Sequence, residues 1–317
     1  MQIFGKTNIN FIKWRWHAIV VSSLVIVAGI GQIIAQGGPR LGVDFSGGTA
    51  LVLRFDGPIS EDAVRTALSG IEGNKSVQQY GPASANEVFV RLPQGPVAEE
   101  GTNLDDSAQR VDDLIRAANL GVFTRESTEI VGPVVGADLQ RKGIYATLTA
   151  MLGIMVYVGF RFRFTFAFGA VVATFHDVLV TLVMLNWFGY ELSLNIVAAL
   201  LTMTGYSVND TIVIFDRVRE NSRTSRRDGL ENVVNTSVNQ MLGRTIITSG
   251  TTFIAVMGLY FYGGEVLQGF AFTMLVGIVV GTYSTVFIAA AVAIDCPNPA
   301  PPWWLLTRRG IAPRSSP

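Results

Sequence analysis

Five residues stand out because they are polar or charged inside stretches that are otherwise apolar. They are His176 and Asp177 in one run, Asn209 and Asp210 in a second, and Arg244 at the head of a third. A charge at the centre of a bilayer costs at least about 2.5–3.5 kcal/mol on insertion scales, so such residues are rare and tend to mark function. A carboxylate in that setting does one kind of chemistry well: it takes up and releases a proton. A neighbouring arginine favours the ionised carboxylate and burial favours the neutral one, so moving one relative to the other changes proton occupancy. Asp210 and Arg244 are the pair whose positions suit this. Asp177 is a secondary carboxylate, with Asn209 and His176 as supporting polar neighbours. Each residue also has a plainer reading. Asp177 can be a hydrogen-bond acceptor between helices, and Asp210, near the end of its run, can reach toward the interface. Asn209 can join helices through its amide, and Arg244 can anchor topology by snorkelling.

Other chemistries have no comparable set of residues. His17 and His176 are the two histidines and lie far apart, and Cys296 is the sole cysteine. Neither an intrachain disulfide nor a His/Cys metal site is expected. Gly47-Gly48 lacks the G-x-G-x-x-G spacing of a dinucleotide site, and no Ser-His-Asp signature is present. The expectation is a non-enzyme with no metal and no cofactor, and the sequence gives no sign of nucleotide binding.

Positioning such residues requires elements that cross a membrane. Half of the 317 residues are hydrophobic. About 20 apolar residues in an α-helix cross a hydrocarbon core about 30 Å thick. Six runs qualify: 17–36, 143–160, 165–188, 193–215, 245–264 and 267–294. Backbone groups in lipid must be satisfied within their own segment, so these runs are predicted as helices. Fourteen Lys and Arg residues fall in 1–16, between the second and third runs, in 216–244 and in 295–317, against none near 189–192 and 265–266. Short segments rich in Lys and Arg stay in the cytoplasm. The N-terminus 1–16, the loop 216–244 and the Pro-rich tail 295–317 are therefore expected to be cytoplasmic. The first run is about 20 residues long with no small-residue cleavage site after it, and reads as an anchor rather than a cleaved leader.

The remaining segment, 37–142, is expected outside and has the pattern of a soluble domain. Residues 49–55 alternate and are β-rich, Ser60 opens a helix with Glu61 and Asp62 in its first turn, and 76–80 and 87–92 read as strands. A helix with Ala108, Val111, Leu114 and Ile115 on one face follows, then a strand at 123–130. The order β-α-β-β-α-β is that of the ferredoxin-like fold. With 10 basic and 15 acidic residues, the segment is a poor match for a nucleic-acid partner. The predicted fold class is a polytopic α-helical membrane protein: six transmembrane helices, one before and five after a single external α+β domain. The links 36–39 and 131–136 are rich in Gly and Pro, which suits either hinges or ordinary boundary turns. Gly277 and Gly281 form a G-x-x-x-G pair that permits close helix approach.

Four stretches carry a resemblance. Asp44-Phe45-Ser46-Gly47-Gly48-Thr49 follows the first run. Phe175-His176-Asp177 lies in the third. Gly205-Tyr206-Ser207-Val208-Asn209-Asp210 and on to Asn221 lies in the fourth. Ser237 through Gly243-Arg244-Thr245 to Thr252 heads the fifth. Together, over about residues 10–295, they resemble the SecD/SecF family of bacterial protein-export subunits, with Met241 standing where Thr is expected in many relatives. The resemblance implies a SecF-like role in the inner membrane: pairing with SecD, a related six-span chain, and association with the SecYEG channel. It also implies action on the emerging preprotein, with proton flow coupled to movement of the external domains. It places the positions of Asp210 and Arg244 in the proton pathway and makes Asp44, Phe45, Gly47 and Gly48 a structural motif, with Gly47-Gly48 allowing a tight backbone path. The two chains of such a pair resemble the halves of an RND-type transporter. A proton-driven small-molecule transporter half is therefore the alternative, disfavoured by an external segment of about 105 residues, small for one domain of a porter. An intramembrane aspartyl protease would carry G-x-G-D, where this chain has Ser207-Val208-Asn209-Asp210.

Overall fold

A backbone that leaves water must pair its N–H and C=O groups within its own segment, and all six apolar runs are helical in the computed structural model. It describes residues 7–71, 75–81, 83–92, 104–131, 133–161, 164–224 and 229–295. Lys6, Arg163, Arg226, Arg227, Cys296 and the tail beyond it lie outside the described residues. In chain order the elements are α1 (Arg15–Ala35), α2 (Val43–Ser46), β1 (Gly48–Phe55), α3 (Glu61–Ala67), β2 (Ser76–Tyr80), β3 (Glu87–Leu92), α4 (Leu104–Ala117) and β4 (Phe123–Val131). Then come α5 (Pro133–Arg161), α6 (Phe164–Trp187), α7 (Leu194–Thr224), α8 (Leu230–Tyr262), α9 (Glu265–Ser284), a π turn (Thr285–Ala289) and α10 (Ala290–Asp295). Helices α1, α5, α6, α7, α8 and the α9–α10 unit are each long and apolar enough to cross a membrane.

Two boundaries differ from the sequence reading. Helix α5 starts at Pro133 rather than 143, because a proline at the first helical position is preorganised for the turn. The polar residues that follow, such as Asp138 and Lys142 in an i,i+4 pair at 2.7 Å, lower hydropathy without ending the helix. The proposed hinge at 131–136 is therefore largely helix. The segment 216–244 is likewise no extended loop. Helices α7 (Leu194–Thr224) and α8 (Leu230–Tyr262) run for 31 and 33 residues and take up most of 216–244.

The sheet domain has the order of elements that the sequence predicts. Its four strands lie in the order β2-β3-β1-β4 with every neighbour antiparallel, the ferredoxin-like arrangement. Strand β3 alternates in burial, and the Ser60 hydroxyl caps α3 at the Ala63 N–H, 3.2 Å away. Leu51, Leu53, Val64, Leu68, Val88, Val90, Val111 and Ile115 form a dry core between the sheet and helices α3 and α4. A fragment of residues 42–131 should therefore melt cooperatively with a mixed helix-and-strand circular dichroism spectrum. Ile115→Ala should remove about 2–5 kcal/mol of its stability. An unchanged melting midpoint would show that this core does not hold the domain together.

Helix α1 ends in a Schellman motif: Gly38 N–H donates to Ile33 C=O and Gly37 N–H to Ile34 C=O, with φ of +128° and +86° at these glycines. At the opposite end of the bundle, Arg15 pairs with Glu231 at 2.8 Å and Asp295 at 3.4 Å, gathering the starts of α1 and α8 and the end of α10. Helices α7 and α9 pack closely because Gly277 and Gly281 face Met203 and Ser207. A Cβ on Gly281 would lie 2.9 Å from the Ser207 side chain.

Candidate proton site in the helix bundle

Asp177 sits about midway along α6 and is fully buried. Two groups hold its carboxylate. Ser207 of α7 donates its hydroxyl to Oδ2 at 2.6 Å, and His176 Nδ1 lies 3.1 Å from Oδ1. His176 is itself buried, and its Nε2 has no hydrogen-bond partner among the described residues. The sequence gives Asp177 only its neighbour His176; the fold adds a short inter-helix bond from α7. An acid, a base and a hydroxyl thus meet among buried side chains between α6 and α7.

Asp210 is one turn farther along α7 from Ser207 and is 5% exposed. Ser249 of α8 donates to its Oδ2 at 3.3 Å, and Thr282 of α9 places its hydroxyl 2.9 Å from Ser249 Oγ. Three helices therefore meet at this carboxylate through hydroxyls. Arg244 behaves differently from the sequence expectation. Among the described residues no ion pair joins it to Asp210. The reason is helical phase. Arg244 precedes Ser249 by five residues, which is about 7.5 Å along the axis and about 140° around it. It stands on the exposed flank of α8. Asn209 is also exposed, turned away from the cluster by one residue of helix. The structure brings Asp210 and Asp177 into the bundle interior and leaves Asn209 and Arg244 on its outer face.

Ser207, Ser249 and Thr282 are contributors that the sequence does not single out. Hydroxyls in these helices commonly bond their own backbone, as Thr174 does to Ala170 C=O, Thr204 to Leu200 C=O and Thr273 to Gly269 C=O. Only those whose hydroxyl reaches another helix matter here. A signal is present in hindsight: Ser207 lies three residues before Asp210 and Ser249 five after Arg244, so both fall inside the distinctive stretches.

The Asp44–Gly48 segment lies at the domain end of the same bundle. Helix α2 is a single turn, left through Gly47 at φ +69° and Gly48 at φ +122°, values that side chains rarely adopt. Phe45 is buried, and Gly136 of α5 packs so closely that a Cβ there would be 3.0 Å from Gly47 N. Asp44 Oδ2 accepts the N–H of Leu194, the first residue of α7, at 2.8 Å. The motif thus does more than guide the chain out of the membrane: its carboxylate caps the helix that carries Asp210.

These features define a class: a multi-pass membrane protein with two buried carboxylates in its helix bundle and a ferredoxin-like domain between its first and second membrane helices. Residues 33–59 match the SecD/SecF GG motif, and residues 111–298 match the C-terminal part of the protein export membrane protein SecD/SecF. The chain is 40% identical over 292 residues to the protein translocase subunit SecF of Escherichia coli O157:H7, covering 92% of this chain and 88% of that one. It is 41% identical over 303 residues to the protein translocase subunit SecF of Rhodothermus marinus, covering 93% and 95%. The crystal structure of SecDF, a translocon-associated membrane protein from Thermus thermophilus, superposes with a TM-score of 0.80 at 34% identity over 91% of this chain. SecDF in its super-membrane-facing form gives a TM-score of 0.66 at the same identity. This chain spans 38% and 40% of those two longer chains. The chain belongs to the SecD/SecF family, as a protein translocase subunit of the SecF type.

Proposed function

We propose that this chain, paired with a SecD-type chain, couples proton movement across the membrane to late steps of preprotein translocation through SecYEG. The observation that carries this reading is Asp210: a buried carboxylate that accepts the Ser249 hydroxyl, itself reached by Thr282, with no ion pair to Arg244 among the described residues. A fixed ion pair would hold the aspartate in one protonation state, whereas this arrangement lets the state change with small movements of Arg244. Asp177 with His176 is the secondary proton-holding group.

The case for a partner rests on α8. Arg244, Thr248 and Thr251 are exposed along it, with Thr202, Gly205 and Asn209 exposed on α7. An arginine facing lipid is costly, and small and hydroxyl residues are the usual surface for another helix. A SecD-type chain covering this face would bring a further carboxylate to Arg244, as the family resemblance implies. The termini and the α7–α8 connection are assigned to the cytoplasm, and the sheet domain to the outer side, on the distribution of Lys and Arg.

Extraction in mild detergent should recover SecD-like and SecY-like chains with the tagged protein. In inverted vesicles at fixed ATP, removing this chain should eliminate the extra preprotein translocation that an imposed proton gradient gives. Full gradient stimulation without it would refute the coupling. In a Cys296→Ser background, an impermeant thiol reagent on intact cells should label a cysteine at Ser69 and spare one at Thr224. The reverse pattern would invert the topology.

A further inference from the structure

We propose that Asp44 is the positioning residue through which the external domain acts on α7, and so on Asp210. This deepens the proton-coupling reading given above and rests on it. The start of α7 is fastened to the external segment by several separate links. Asp44 Oδ2 accepts the Leu194 N–H at 2.8 Å. Just before it, Leu192 N–H donates to Arg40 C=O and Gly42 N–H donates to Leu192 C=O, each at 2.7 Å. Arg91 of β3 pairs with Glu191 at 3.1 Å and also donates to the Ser46 hydroxyl. Among these, the Asp44 bond is the one made to α7 itself.

The segment that presents Asp44 has little freedom of its own. Helix α2 runs through Gly47 straight into β1 at Gly48, and it is pressed against α5 at Gly136. A tilt of the sheet must therefore move Asp44. From Leu194 to Asp210 the chain is uninterrupted α-helix, about 24 Å over sixteen residues. A hydrogen-bonded helix transmits rotation and axial shift over that length with little loss, whereas a loop does not. At its far end, Asp210 meets Ser249 at 3.3 Å, so a shift of about an ångström at the cap is enough to make or break that bond. The same lever runs in reverse. A change of charge on Asp210 alters how α7 seats against α8 and α9, and the cap carries that change to the sheet. A carboxylate suits the position because it accepts an N–H at the positive end of the helix.

The test uses the full chain with its SecD-type partner in inverted vesicles. Variants Asp44→Ala and Asp44→Asn are compared with Asp210→Asn. Asp44→Ala should leave protein level and ATP-driven translocation unchanged and cut the gradient-dependent increment by about fivefold, the factor of an ordinary lost cap. Asp44→Asn keeps an acceptor oxygen in the cap and should restore most of the increment. Spin labels on cysteines at Ser69 and Tyr262, in the Cys296→Ser background, should change separation on imposing the gradient in the parent and in Asp44→Asn, but not in Asp44→Ala. A mere brace would lower ATP-driven and gradient-driven transport together and leave the label response intact, which would overturn the proposal. So would a full increment in Asp44→Ala, or equal losses in both variants. If Asp44→Ala fails to accumulate, Leu194→Pro removes the donated N–H at a position where helices accept proline, and the same losses are expected. If Asp210→Asn keeps its increment, the proton reading itself fails. If it loses the increment while Asp44→Ala keeps it, only the coupling through Asp44 fails.

Discussion

Asp210→Asn should abolish the gradient-dependent component of preprotein translocation while ATP-driven translocation and the amount of chain in the membrane stay as in the parent. Asparagine has the same shape as aspartate, and its amide oxygen can still accept the Ser249 hydroxyl, so the junction of α7, α8 and α9 persists. What it lacks is a group that gains and loses a proton. The loss should therefore be near complete in the gradient assay and absent from thermal melting in detergent. Arg244→Lys keeps the charge but loses the planar fork, and should give an intermediate defect. If Asp210→Asn retained the full increment at normal levels, Asp210 would be a packing residue.

The second large effect is expected at Gly281. Its missing side chain is what allows α9 to lie against Ser207, the residue that holds Asp177. Gly281→Leu would force α7 away, and overpacking a close helix contact costs about 1–3 kcal/mol or more. A lower melting midpoint in detergent and a reduced amount of chain in the membrane are the expected results. Gly31→Ala is the control, since nothing lies within 4 Å of a Cβ there. Equal behaviour of the two variants would show that the α7–α9 contact tolerates expansion and that the close approach is incidental.

The membrane helices and the sheet were legible in the sequence for different reasons. Strands β2 and β3 fall on the residues read as strands in the sequence, and one face of β3 meets the core. Hydropathy located the six membrane helices but mistook their ends. It reports where a helix meets water, whereas Asp138 and Lys142 in α5, and Asp216 and Arg217 in α7, sit in turns that simply continue the helix beyond the apolar stretch. The two aspartates were legible because a charge in an apolar run is conspicuous. Their hydroxyl partners were not, since serine and threonine are ordinary in such helices and most satisfy their own backbone. Nor was the orientation of Arg244. Depth along a helix can be counted from its ends, but the phase of α8 against α7 is fixed by packing. The contact between Asp44 and Leu194 joins positions 150 residues apart, and no local pattern announces it.

That contact also sets a scale. One elementary charge crossing a potential of 100 mV releases about 2.3 kcal/mol. A helix cap is worth about 0.5–2 kcal/mol, so a single proton per cycle carries enough work to open or close it. Ile115, Leu53 and the other side chains of the domain core are of another order, at about 2–5 kcal/mol for each one truncated. Under the proposed coupling, the membrane potential is matched to the Asp44 cap rather than to the interior of the domain.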